Sequence, residues 1–150
     1  MDASVVTLLE RKRSLDVLSV APSVTVAEAV AKMNQHQVGS VLVLDGGRLA
    51  GIFTERDVLR RVVGAGLDPQ QAKVSEVMTS NLVTISPETT VEQAMTLFTE
   101  RRCRHLPVLA GGRLTGLLSI GDVTRWMVDS HRTECEHLKN YISGGFPASP

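Results

Sequence analysis

The chain has 150 residues, a formal charge of +0 at pH 7 and a hydrophobic fraction of 43%, the profile of a soluble globular protein with one good core or two small fused units. Balanced charge argues against duplex nucleic acid as the main partner, since phosphate-driven binding wants a concentrated basic face. An aromatic content of 3% also leaves few stacking platforms for single strands.

Residues 1–14 read as a helical lead-in, with Val5, Leu8 and Leu9 on one side. Glu10-Arg11-Lys12-Arg13 arrives too early for an apolar signal core, and the longest apolar runs, such as Val38 to Leu44, are too short to cross a bilayer. The expected location is therefore the cytoplasm. Leu18 to Val20 reads as a short strand stopped by Pro22, and Thr25 as the N-cap of a helix with an apolar face of Val26, Ala29, Val30 and Met33. Val38 to Leu44 is a β-branched strand, Asp45-Gly46-Gly47 a hairpin turn and Leu49 to Phe53 the return strand. In Gly51-Ile52-Phe53-Thr54-Glu55-Arg56-Asp57, the apolar pair ends the strand and Thr54 caps the next helix. Asp57 then falls in the first turn, where free N–H groups and the helix dipole concentrate. Such a junction suits a sugar-phosphate, with donors for phosphate and an acceptor for ribose hydroxyls; the plainer reading is a helix cap and nothing more.

Residues 64–77 form a connector, in which Asp68-Pro69 suggests a short helix start. Beyond it the pattern returns. Leu82 to Ile85 is a strand stopped by Pro87, and Thr90 caps a helix with the face Val91, Ala94, Met95 and Phe98. His105 to Leu109 and Leu114 to Leu118 are strands joined by Ala110-Gly111-Gly112. Gly116-Leu117-Leu118-Ser119-Ile120-Gly121-Asp122 repeats the signature at a spacing of 65 residues, 116 − 51. Pro22 and Pro87, Thr25 and Thr90, Gly46-Gly47-Arg48-Leu49 and Gly111-Gly112-Arg113-Leu114 keep the same offset without a gap, so the chain carries two copies of one supersecondary unit. Neither copy covers its own sheet, and the two should pack on each other. The last helix runs past the repeat through Trp126-Met127 to Leu138, Tyr141 and Ile142, ending at Gly144-Gly145, and residues 146–150 should be loose. The apolar faces of the terminal helices suit either their own core or a second chain.

Cys103 and Cys135 make no disulfide framework, and Cys135 with His131 and His137 lacks a fourth metal ligand. His36, His105, His131 and His137 are scattered without a partnering nucleophile, and no phosphate loop of the GxxxxGK[ST] type is present. No enzyme, no metal site and no required cofactor are expected.

The paired signatures, the proline-ended first strands and Arg104-His105-Leu106-Pro107-Val108 resemble a tandem pair of cystathionine-beta-synthase (CBS) domains over roughly residues 15–128. The resemblance implies an α+β fold of two β-α-β-β-α units, residues 15–63 and 78–128, packed sheet to sheet in pseudo-two-fold symmetry. The extra N-terminal helix and a C-terminal extension at 129–145 flank them. It implies a homodimeric disc and clefts for AMP, ADP, ATP or a related adenosyl compound. It assigns Asp57 and Asp122 to ribose hydroxyls, Thr54 and Ser119 to ribose or phosphate, and the first-strand positions Ser19, Val20 and Thr84 to the adenine. Val38, Gly39 and Ser40 in one copy, and Cys103, Arg104 and His105 with Pro107 in the other, would wall the base or reach the phosphate. Arg104 and His105 stand where the first copy has Gly39 and Ser40, and Arg56 where the second has Gly121, so the clefts cannot be equal. The function implied is a nucleotide-sensing regulator of an unidentified protein; the alternative is a dimerising scaffold with vestigial clefts.

Overall fold

The computed structural model describes residues 3–11 and 18–145. Residues 1–2 and 12–14 of the expected lead-in, the start of the first unit at 15–17 and the expected loose tail at 146–150 lie outside the described residues. The order is α1 (Val5–Arg11), β1 (Ser19–Val20), α2 (Val26–His36), β2 (Ser40–Asp45), β3 (Arg48–Thr54) and α3 (Glu55–Asp57), which continues as a π-helix (Val58–Val63). Then follow α4 (Val74–Val77), α5 (Val91–Arg101), β4 (His105–Ala110), β5 (Arg113–Ser119) and α6 (Ile120–Gly145).

Local chemistry fixes the shared elements. Thr25 and Thr90 accept the N–H of Glu28 and Gln93 at 3.2 and 3.1 Å, capping α2 and α5. Gly46 and Gly47 take φ of 58° and 87°, and Gly111 and Gly112 take 57° and 80°. Two successive left-handed residues make the turn whose twist matches an antiparallel hairpin. Both hairpins also slip register at one site, Val43/Leu44 and Val108/Leu109. Each copy builds its core from equivalent positions. Val26, Ala29 and Met33 of α2 meet Val41, Val43 and Phe53 in one, and Val91, Ala94 and Phe98 meet Leu106, Val108 and Leu118 in the other. Burying each of the larger side chains stabilises by about 1.5–3 kcal/mol. Leu42 and Pro107 are fully buried yet belong to neither core. By strand alternation they face the opposite side of their sheets, where β3 and β5 touch. The result is an α+β fold of two units joined through their sheets.

Two expectations change, and one open alternative is narrowed. The strand expected at Leu82 to Ile85 shrinks to a bridge between Ile85 and Val108: the Thr79 backbone pairs with Ile52 in both directions at 2.9 Å, and the Leu82 N–H then turns back to the Ser80 carbonyl at 3.0 Å. The first sheet therefore has three strands and the second two. Asp68-Pro69 opens a turn rather than a helix: Asp68 Oδ1 accepts the Gln70 N–H at 2.9 Å, and the helix waits until Val74. The lead-in helix also has a place in its own chain. Ser4 pairs with Thr90, and Val5 and Leu8 are buried in the second unit's core. α4 does the same for the first unit, with Lys73 paired to Thr25 and Val74 and Val77 buried. Each unit is thus completed by the segment that precedes the other.

Candidate functional site

The signature glycines are explained by this exchange. A Cβ on Gly51 would lie 2.7 Å from Met78 Sδ and 2.8 Å from the Thr79 carbonyl oxygen, and one on Gly116 would lie 3.1 Å from Leu9 Cδ1. The two contacts at Gly51 are too short for a Cβ and the one at Gly116 is tight, so in both copies the incoming segment runs where a side chain would otherwise stand. That close approach delivers Thr79 to the helix start.

At the β3–α3 junction, Thr54 has the extended backbone of an N-cap, φ −126° and ψ 165°. Its hydroxyl accepts the Asp57 N–H at 3.3 Å, and Asp57 Oδ2 accepts the Thr54 N–H at 3.0 Å and the Thr54 hydroxyl at 3.2 Å. Asp57 is buried at 5% exposure. Its Oδ1 accepts the Thr79 hydroxyl at 3.2 Å, with Arg61 Nε at 3.8 Å. The β5–α6 junction repeats the box: Ser119 N–H donates to Asp122 Oδ2 at 2.8 Å, and Asp122 N–H donates to Ser119 Oγ at 3.1 Å. Arg125 lies 3.9 Å from Asp122 Oδ1. The cap is therefore formed in both copies. A carboxylate offers about four acceptor positions, and at Asp57 three hydrogen bonds and the Arg61 guanidinium crowd them, so a ligand hydroxyl reaching Oδ1 would meet the Thr79 donor already there.

A cleft of about 500 Å³ opens at the first junction, a volume suited to one small organic molecule. Gly39, Thr54, Arg56 and Asp57 line it from the first unit, and Cys103, Arg104 and His105 line it from the second. The crossing segment contributes Thr79, Asn81, Leu82 and Val83 between them. The cleft thus joins the helix start of one copy to the strand entry of the other. The remaining expected residues lie elsewhere. Thr84 lines a separate, open surface groove with Gln93 and Leu97. Ser19, in β1 next to half-buried Val20, accepts at its carbonyl a hydrogen bond that Lys32 Nζ donates at 2.6 Å. Pro107 is buried between the sheets and Ser40 is buried in β2. Ser119, Gly121 and Asp122 sit at the second junction, where the Ile120 N–H donates to the Arg104 carbonyl at 2.9 Å, the counterpart of Glu55 N–H on Gly39 at 3.0 Å. Val38 is exposed at 40%. At the repeat offset, the counterparts of 79–82 are residues 14–17, outside the described residues.

The cleft also contains residues the sequence did not single out: Arg60 and Arg61 on the π segment, Arg101 and Arg102 at the end of α5, Thr79, and Asn81 to Val83. Arg61 donates to the carbonyls of Val77 and Met78 at 3.4 and 2.9 Å, tying the π segment to the end of α4. The π turn closes with Gly64 N–H on the Leu59 carbonyl at 2.8 Å, a local widening common at functional sites. Cys103 is half-buried with its thiol 3.9 Å from the Leu97 carbonyl. Burial pushes its pKa up, with a backbone hydrogen bond and then the Arg101 charge pulling the other way.

Comparison with known proteins gives a consistent result. The family model described as "CBS domain" matches residues 12–64 and again 74–129. The chain is 45% identical over 127 residues to the mitochondrial CBS domain-containing protein CBSX3 of Arabidopsis thaliana, covering 81% of this chain but 62% of that protein's length. It is 37% identical over 107 residues to the CBS domain-containing protein YhcV of Bacillus subtilis, covering 71% of this chain and 76% of that one. Among solved structures, a CBS-domain protein of Burkholderia ambifaria, provisionally assigned to signal transduction, superposes with a TM-score of 0.82 at 36% identity. That match covers 85% of this chain and 95% of the other.

Proposed function

This chain belongs to the CBS-domain family, and on that premise we propose that it is a non-catalytic regulatory module whose cleft binds an adenine nucleotide. The observation that carries the reading is the convergence of the Thr54–Asp57 box, the apolar pair Leu82-Val83 and the cationic Arg104 with His105 on one cavity. Apolar walls suit a purine, an acceptor-only carboxylate suits a ribose diol, and arginine side chains suit phosphate. AMP, ADP, ATP or a related adenosyl compound has all three parts.

The response to ligand runs through Thr79. A ribose hydroxyl on Asp57 Oδ1 competes with the Thr79 hydroxyl that donates there, and Thr79 is hydrogen-bonded to β3 at the head of the segment that enters the second unit. Moving that segment changes the angle between units and the affinity for a regulated protein. Couplings of this kind amount to about 1–3 kcal/mol, a several-fold change in affinity. The working unit is a homodimer in the cytoplasm. Its support is a set of exposed apolar side chains: Leu59 and Val63 on the π segment, and Ile120, Met127 and Val128 on α6. No described helix is long and apolar enough to cross a membrane.

The same apolar surface, extended by Leu138 at 60% and Ile142 at 61% exposure, favours the second reading, a dimerising scaffold whose cleft no longer takes ligand. A thermal-shift screen separates them. A nucleotide at 100 times its dissociation constant adds about 2.7 kcal/mol of stability to a sensor, and a scaffold melts at the same temperature with and without it.

A further inference from the structure

We infer that this cleft selects its ligand by phosphate number, favouring nucleoside triphosphates over monophosphates, with Arg101 and Arg102 as the residues that discriminate. The inference rests on the nucleotide reading above and deepens it.

Six arginines line the cavity (Arg56, Arg60, Arg61, Arg101, Arg102 and Arg104), against two acidic residues, Glu55 and Asp57. The lining therefore carries 6 − 2 = +4 before His105 is counted, in a chain whose total is +0. Among the described residues, only Arg61 of the six has an ion-pair partner, Asp57. Charges of one sign crowded into a concave site focus the field and favour an anion of matching size. A terminal phosphate carries about two negative charges at neutral pH, and each added phosphate contributes roughly one more, so a triphosphate matches +4 where a monophosphate does not.

The repeat shows that this concentration is not built into the fold. At the offset of 65, the six arginines correspond to Gly121, Arg125, Trp126, His36, Gln37 and Gly39. Five of the six cationic positions are specific to one cleft. Arg104 and Arg56, which adjoin Cys103 and Asp57 in the chain, would take the first phosphate. Arg101 and Arg102 line the same cavity from the C-terminal end of α5, ahead of the strand entry at Cys103 to His105. Their contribution therefore appears only when the phosphate chain is long enough to reach them.

The test uses the full chain and its Arg101→Gln/Arg102→Gln variant, titrated at fixed ionic strength with ATP, ADP, AMP, inorganic tripolyphosphate and orthophosphate. Glutamine is accepted at this backbone position, since Gln37 has φ 54° where Arg102 has φ 51°. Both arginines are exposed, and a melting curve confirms that the variant folds. The expected order is ATP tighter than ADP and ADP tighter than AMP, with about tenfold between the ends. In the variant that gap shrinks to about threefold or less while AMP affinity stays within about twofold. Equal affinities in the unmodified protein overturn the inference and leave the nucleotide reading standing, and so does a gap that survives the substitutions. Tripolyphosphate binding with the same arginine dependence, but no gain from adenosine, upholds the charge selection and overturns the adenine reading. Tighter binding of a single-stranded RNA oligonucleotide than of ATP overturns the selection by phosphate number.

Discussion

The hydroxyl of Thr79 donates to Oδ1 of Asp57 at 3.2 Å, so the segment entering the second unit is fastened to the helix start of the first. This contact joins the candidate ligand site to the element that connects the two halves. Thr79 is paired with Ile52 on its backbone side, so its side chain has little freedom to find another partner. A ligand hydroxyl reaching Asp57 would therefore act on the crossing segment and not on an isolated side chain.

Replacing Thr79 with valine keeps the shape and removes the donor. Loss of one hydrogen bond to a charged acceptor predicts a stability decrease of about 1–2 kcal/mol in denaturant titration. Adenine-nucleotide affinity should rise several-fold, because the competitor for Asp57 is gone. Hydrogen exchange of residues 79–83 should then respond less to nucleotide than in the unmodified protein. Unchanged affinity would mean that the Thr79 contact and the ligand do not share Asp57.

Gly51→Ala and Gly116→Ala should differ although the glycines are equivalent. The first introduces a Cβ 2.8 Å from a backbone oxygen, the second a Cβ whose nearest contacts are the ends of a leucine side chain at 3.1 and 3.2 Å. Backbone cannot yield as a rotamer can. Thermal melting should show a loss of about 1–3 kcal/mol for Gly51→Ala and under about 1 kcal/mol for Gly116→Ala.

Much of this architecture was legible in the residues because the repeat preserves its offset. Thr25 and Thr90, Gly46-Gly47 and Gly111-Gly112, and the helix faces of α2 and α5 all carry local signals that do not depend on distant contacts. The exchange of α1 and α4 between units was not legible. Ser4 pairs with Thr90 and Lys73 with Thr25, so the matching positions 4 and 73 are 69 apart, and the offset of 65 no longer aligns them. Leu82 and Val83 read as strand because they are apolar, whereas they line the cleft between units. The Thr54–Asp57 and Ser119–Asp122 boxes were readable from spacing. Which strand entry faces the Thr54–Asp57 box was not, because that depends on how the units are joined. Arg101 and Arg102 stood beside the recognised Arg104-His105 stretch, and only the cavity gives them a shared purpose.

The two cysteines should differ in reactivity. Cys135 is exposed and Cys103 is half-buried, with a pKa raised by burial. A raised pKa keeps the thiol protonated, so its reactive thiolate is gained only above the pH at which an ordinary thiol ionises. Mass-spectrometric mapping of iodoacetamide labelling near neutral pH should find Cys135 modified first, with Cys103 catching up as pH rises. Adenine nucleotide should slow labelling of Cys103 and leave Cys135 unaffected.

The apolar strip on the π segment tests the assembly. Leu59 and Val63 are 65% and 67% exposed, four residues apart and on one face. Leu59→Glu/Val63→Glu places two charges on any surface docked there while sparing both cores. Sedimentation velocity should give a dimer for the unmodified chain and a monomer for the variant. A dimer that persists would locate the interface elsewhere, with α6 beyond residue 128 as the next surface to alter.

Isothermal titration calorimetry of the full chain with ATP, repeated with Asp57→Ala and Asp122→Ala, bears most directly on the nucleotide site. The account predicts saturable binding to the unmodified protein and a loss of about tenfold or more in Asp57→Ala, the size of one charge-assisted hydrogen bond to a ribose hydroxyl. No measurable binding of ATP, ADP or AMP, or an affinity that neither substitution changes, would contradict it.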